Sequence, residues 1–119
     1  FLPGALTTNK SLDFICKDTE LEITTSKGSW FNSSNNKINL PIAHGEGRYF
    51  CDEDTFKELS DNNLIALRYL SNPNGSSYDI AGVINKNGNV LGLMPHPERA
   101  CDSNLGGIDG LFTLKSLIE

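Results

Sequence analysis

Long apolar runs, basic clusters and patterned cysteines are all missing from this chain of 119 residues, and each absence removes a class of function. Nothing approaches the roughly 20 apolar residues of a membrane-spanning helix, so no membrane association is expected. Lys and Arg are scattered. Ten basic against 15 acidic residues leave a formal charge of −5, and the isoelectric point lies near 4.9. Such a balance repels a phosphate backbone, so no nucleic-acid partner is expected. Cys16, Cys51 and Cys101 are odd in number and widely spaced, whereas disulfide frameworks and zinc sites show paired short spacings. They read as buried reduced thiols, and no metal site is expected. No charged-then-apolar leader opens the chain, and the cytoplasm is the expected compartment.

What remains suits one small domain: 38% hydrophobic and 21% charged residues over 119 positions make one core and no second one. Phe1-Leu2-Pro3-Gly4 reads as the end of a helix followed by its stop signals, which leads to the expectation that the chain begins inside a larger domain. Residues 12–17 and 21–25 are strand-like, with Asp18-Thr19 as a turn between them. A polar loop over 26–37 is interrupted by Trp30-Phe31, which either pin it to the body or face a partner. Residues 38–43 form the next strand and run into His44-Gly45-Glu46-Gly47-Arg48. Asp52 has the chemistry of an N-cap, Glu53 and Asp54 suit the first turn, and Phe56 and Leu59 give the short helix an apolar edge. Strands are expected over 64–70, 80–84 and 90–94, the last two joined through Lys86-Asn87-Gly88-Asn89. Ile108, Leu111, Phe112, Leu114, Leu117 and Ile118 fit one side of a C-terminal helix. The pattern is α/β or α+β.

Two stretches use Gly, Pro, His and Glu where a plain fold has no need of them. In Met94-Pro95-His96-Pro97-Glu98-Arg99 the prolines bias their predecessors toward extended dihedrals. Residues two apart in extended chain project together, so Glu98 is expected to bond one nitrogen of His96 and leave the other for a reacting group. On spacing alone, a stiff surface turn with a solvated histidine, or with Glu98 paired to Arg99 or Arg68, competes with that reading. In His44-Gly45-Glu46-Gly47 the glycines permit close backbone approach to a ligand, or simply a bulge that ends the strand. Asn72-Pro73-Asn74-Gly75-Ser76 reads as a turn and nothing more.

Taken in order, Leu2-Pro3-Gly4-Ala5-Leu6, Ile42-Ala43-His44-Gly45-Glu46-Gly47-Arg48, Asn72-Pro73-Asn74-Gly75-Ser76 with Asp79-Ile80-Ala81-Gly82, and Gly92-Leu93-Met94-Pro95-His96-Pro97-Glu98-Arg99 resemble the glutaminase part of phosphoribosylformylglycinamidine synthases, within the class I, triad-type glutamine amidotransferases. The resemblance implies an α/β, flavodoxin-like amidotransferase fold, here incomplete, with a mixed sheet and antiparallel hairpins. It implies glutamine as substrate and a Cys-His-Glu triad in which His96 activates a thiol and protonates departing ammonia while Glu98 orients the ring. His44, Gly45 and Glu46 match a segment beside the glutamine pocket, whose backbone groups hold the substrate's α-carboxylate and amine. Ammonia then passes to a synthase subunit or domain, which uses ATP and magnesium to amidate formylglycinamide ribonucleotide in purine synthesis. No cofactor is expected on this chain.

The departure from the family is its nucleophile, a cysteine in a Gly-x-Cys-x-Gly context upstream of the Leu-Pro-Gly-Ala-Leu run. None of the three cysteines has flanking glycines. Residues 1–119 are therefore expected to be the C-terminal portion of a single amidotransferase domain, completed by an N-terminal portion carrying the nucleophile elbow and inactive without it. A non-catalytic remnant that docks on the synthase is the alternative, and an unrelated small α/β binding domain the third reading.

Overall fold

The computed structural model describes residues 2–25, 30–31, 36–102, 104, 107–111 and 113. Alternation of apolar and polar residues builds its longest ladder. Strand β2 (Ile15–Ile23) pairs antiparallel with β3 (Lys37–His44) from Ile15 opposite His44 to Glu22 opposite Lys37. On β3 every second residue is buried, so Ile38, Leu40 and Ile42 face the core and His44 ends the same row. The two strands expected at 12–17 and 21–25 are thus one continuous strand, and Asp18-Thr19 is no turn. The long ladder to β3 overrides the local turn preference of those two residues, and Leu12 lies outside the strand with φ +65.

Strand β5 (Ile65–Tyr69) continues from β2, and β6 (Ile80–Ile84) and β7 (Leu91–Leu93) follow, giving a five-stranded sheet in the order β3-β2-β5-β6-β7. β5 and β6 are nearly all buried because apolar residues cover both their faces. One cluster gathers Leu21, Leu40, Ile42, Leu67 and Tyr69, and the other gathers Leu59, Leu64, Ile65, Ile80 and Ile84. The register shifts between Ile65 and Leu67 let one strand feed both clusters. Every pairing among the described residues is antiparallel; β2–β3, β5–β6 and β6–β7 join successive strands of this sheet, while β2–β5 joins strands separated in the chain by β3, a further short strand and a helix.

Helix α1 (Glu53–Asp61) starts as the sequence predicts: the Asp52 carboxylate accepts from the Thr55 backbone N–H at 2.8 Å, and Leu59 anchors the helix in the second cluster. Two short strands were not expected. β1 (Ala5–Thr7) and β4 (Arg48–Phe50) pair antiparallel beside the main sheet. Trp30 and Phe31 pack against the two core clusters, and the Trp30 indole donates to the Gly88 carbonyl at 2.9 Å, so these two aromatics are held against the body. Cys51 is buried and Cys101 partly so, but Cys16 is exposed, contrary to the expectation of buried thiols, because it sits on the outward row of β2. The helix expected from Ile108 onward falls largely outside the described residues. No described helix is long and apolar enough to cross a membrane.

Candidate active site

His96 and Glu98 meet, though not by the extended alternation the sequence suggests. Pro97–Arg99 closes a single 3₁₀ turn with His96 at its N-terminal flank, and the Arg99 and Ala100 amides donate back to the His96 and Pro97 carbonyls. Pro97 supplies the fixed φ that starts such a turn. The imidazole Nδ1 lies 2.7 Å from Glu98 Oε1. An ionised carboxylate only accepts, so Nδ1 carries a proton, and whenever the ring is neutral the lone pair is on Nε2. The His96 side chain is 31% exposed and Glu98 57% exposed, so the pair is open to a ligand. Partial burial pushes the Glu98 carboxyl up; its own backbone N–H, the His96 bond and the charges of His96 and Arg99 outweigh this and hold it below its ordinary value.

The scaffold fixes this turn from two sides. The His96 amide donates to Pro41 O of β3 at 2.8 Å, and the Gly110 amide donates to Ala100 O at 2.9 Å. Gly110 approaches so closely that a Cβ there would sit 1.7 Å from Pro97 O. Of the competing partners, Arg68 instead donates from Nε and Nη2 to the Tyr78 carbonyl, and Arg99 acts on Glu98 through its charge.

An open groove is lined by Trp30, Ala43, His44, Met94, His96 and Glu98, among others. The structure therefore brings His44 beside the His96–Glu98 pair, while Gly45 and Glu46 lie beyond the residues that line the groove. His44 is only 9% exposed. Its Nδ1 is 2.9 Å from Asn9 Oδ1, and its Nε2 is 3.4 Å from Asn74 Nδ2. Burial lowers its pKa, opposed by a backbone hydrogen bond and helped by the nearby charge of His96.

Asn9 and Asn74 are the residues that sequence reasoning missed. Asn9 is fully buried; its Nδ2 donates to His44 O at 2.7 Å and to Asp13 O at 2.8 Å, and its backbone amide donates to Gly45 O at 2.9 Å. Asn74 Nδ2 donates to Gly47 O at 3.1 Å, while its Oδ1 accepts from the Ser76 amide and hydroxyl. The stretch read as a plain turn is thus half of a buried polar network. The row of buried residues on β3 was the available signal, since it carries His44 inward.

None of the three cysteines is among the residues that line the groove, although Cys16 sits opposite the lining residue Ala43 on β3. Cys51 is buried between β4 and α1, and burial pushes its thiol up. The Cys101 thiol donates to the Pro97 carbonyl at 3.2 Å. Cys16 is exposed on β2 and, like Cys51 and Cys101, does not line the groove.

Residues 3–105 match the family described as the CobB/CobQ-like glutamine amidotransferase domain. The chain is 71% identical over 120 residues to phosphoribosylformylglycinamidine synthase subunit PurQ of Prochlorococcus marinus (strain MIT 9312), covering 99% of this chain and 54% of that protein. It is 56% identical to the same-named subunit of Parasynechococcus marenigrum (strain WH8102), covering 99% and 55% respectively. Among solved structures it is similar to PurLQS from Thermotoga maritima, with a TM-score of 0.84 and 42% identity, covering 98% of this chain and 52% of that one. The chain spans about half the length of the curated relatives it matches.

Proposed function

The chain belongs to the CobB/CobQ-like glutamine amidotransferase family, and from that premise we propose that it serves the glutaminase component of a phosphoribosylformylglycinamidine synthase. The observation that carries this reading is the His96–Glu98 pair, bonded at 2.7 Å on the edge of an open groove with Nε2 unengaged by the carboxylate. In this role Nε2 takes the proton of a cysteine thiol, the thiolate attacks the carboxamide carbon of glutamine, and the same nitrogen returns the proton to the amide nitrogen as the C–N bond breaks, releasing ammonia and leaving a γ-glutamyl thioester that water hydrolyses to glutamate and the free thiol. Glu98 holds the ring and stabilises its cationic form. The 44–46 turn enters the groove at His44, and in this reading its backbone there serves the α-carboxylate and amine of glutamine.

The nucleophile in this reading comes from a portion of the domain outside residues 1–119. Cys51 is buried with a raised pKa, the Cys101 thiol donates to the Pro97 carbonyl, and Cys16, though opposite Ala43 on β3, is not among the residues that line the groove. ATP and magnesium belong to the synthase partner, where ammonia from the groove is consumed in amidating formylglycinamide ribonucleotide. The relatives named as synthase subunits support this partner assignment.

The test is glutamine hydrolysis by the full-length enzyme assembled with its synthase. Iodoacetamide is expected to abolish glutamine-dependent synthesis and spare ammonia-dependent synthesis. Glutamine-dependent turnover that resists alkylation overturns the triad, and an assembly that binds the synthase but never hydrolyses glutamine makes this a docking module instead.

A further inference from the structure

The 44–47 turn has an unusual hydrogen-bond arrangement. The His44, Gly45 and Gly47 carbonyls all point into one buried network, where they accept from Asn9 Nδ2, the Asn9 amide and Asn74 Nδ2. No peptide bond described is cis. A trans peptide directs its N–H opposite its C=O, so the Gly45, Glu46 and Arg48 amides are turned away from the network. Three carbonyls drawn inward fix three amide directions.

The same two asparagines settle the state of the His44 ring. Asn9 spends both amide hydrogens on the His44 and Asp13 carbonyls, so its Oδ1 faces Nδ1 and requires a proton there. Asn74 uses its Oδ1 to accept from Ser76 and its Nδ2 to donate to Gly47 O, so an amide hydrogen faces Nε2 and requires a lone pair there. Only the neutral Nδ1–H tautomer satisfies both. Gly47 closes the arrangement: a Cβ on it would lie 2.3 Å from His44 Cγ, within the ring's own space.

We infer that Asn9 and Asn74 are positioning residues of the glutamine site, locking the His44 imidazole as the neutral Nδ1–H tautomer and through it aiming the backbone of the 44–47 turn. The inference rests on the glutaminase reading for the identity of the ligand. His44 then contributes no cation and no base; its ring is a spacer between two asparagines that fixes the backbone where the turn enters the groove at His44. Burial of the ring, which favours its neutral form, agrees with this assignment.

The experiment combines NMR and kinetics on the full-length protein. Long-range proton–nitrogen correlation with labelled histidine reads which His44 nitrogen carries hydrogen, without need of activity. The expected result is hydrogen on Nδ1 alone. Asn74→Asp places an acceptor opposite Nε2 and is expected to bring hydrogen to that nitrogen. In the enzyme assembled with its synthase, the same variant is expected to raise KM for glutamine by ~10- to 10²-fold, the scale of a small misplacement of a binding group, with kcat within about twofold and ammonia-dependent synthesis kept. His44→Gln, whose amide oxygen can accept in place of Nε2, is expected to retain more glutamine affinity than His44→Leu, and it serves where Asn74→Asp does not fold. Hydrogen on Nε2 in the unaltered protein overturns the lock. A relocated proton with unchanged KM, or equal loss of the glutamine- and ammonia-dependent activities, overturns the positioning role. An unaltered enzyme that hydrolyses no glutamine removes the glutaminase reading, while the NMR result still decides the tautomer.

Discussion

Two histidines line one groove and live under opposite rules. His96 sits on a surface turn with Nδ1 on a carboxylate and Nε2 clear of it, while His44 is nearly buried with both nitrogens occupied by asparagine amides. A charged, partly hydrated partner supports a ring that changes protonation during a reaction. Two neutral partners of fixed polarity forbid that change, because a second ring proton would face an amide hydrogen of Asn74. On the proposed roles, the partners of a histidine, more than its proximity to a site, decide whether it does chemistry or holds shape.

Replacing the ring proposed as general base is the largest perturbation. His96→Ala in the full-length enzyme is expected to lower glutamine-dependent turnover by ~10²–10⁴, the usual worth of positioned proton transfer, with ammonia-dependent synthesis kept. Steady-state assays with each nitrogen donor check it, and near-normal turnover with glutamine refutes the role. Glu98→Gln keeps the ring but removes the charge that favours its cationic form. Because the carboxylate is exposed enough for water to substitute in part, the expected loss is smaller, ~10- to 10²-fold in kcat. A loss equal to that of His96→Ala would mean that the turn itself had collapsed.

The silent histidine is probed through its glycine neighbours. A Cβ at Gly47 would lie 2.3 Å from the His44 ring, whereas a Cβ at Gly45 would meet only Phe14, at 3.8 Å. Gly47→Ala is expected to destabilise by about 1–3 kcal/mol, the range for overpacking, and Gly45→Ala to stay within ~0.5 kcal/mol of the parent. Denaturant titration of the two variants checks the contrast, and equal effects would place the crowding elsewhere.

Acid is the gentlest probe. The His44 pKa is lowered by burial first and by His96 as well, against a raising backbone hydrogen bond. The unfolded ring, with a pKa of ~6.5, therefore takes up its proton before the folded one. The stability His44 contributes is complete above that value and declines as pH falls below it, levelling off beneath the folded value. The slope from this residue is at most ~1.4 kcal/mol per pH unit. Tm measured between pH 7.5 and 5.5 is expected to fall less steeply for His44→Gln than for the parent, and an identical slope would show that His44 is not the group being titrated.

The sequence made the reactive half of this comparison legible and hid the silent half. Two prolines around His96 announce a stiff turn, and a carboxylate two residues on is close under almost any turn geometry, so the pairing survives the change from extended chain to a 3₁₀ turn. The Asn9–His44–Asn74 network joins positions 35 and 30 residues apart along the chain, and no local spacing encodes it. Asn74 lies in a stretch whose composition says turn, and it is a turn; its side chain is buried against His44 and Gly47, which a distant segment brings to it. Asp18-Thr19 failed in the other direction, since a local turn preference gave way to eight residues of cross-strand pairing.

Acylation of the imidazoles compares the two rings most directly. Only two histidines occur in these 119 residues, and diethylpyrocarbonate attacks an imidazole nitrogen through its free lone pair. With the folded full-length protein in the absence of synthase, peptide mass spectrometry over time is expected to show His96 modified in step with loss of glutaminase activity, and His44 modified only after unfolding. Modification of both rings at comparable rates, or of His44 first, would contradict the division of labour proposed for them.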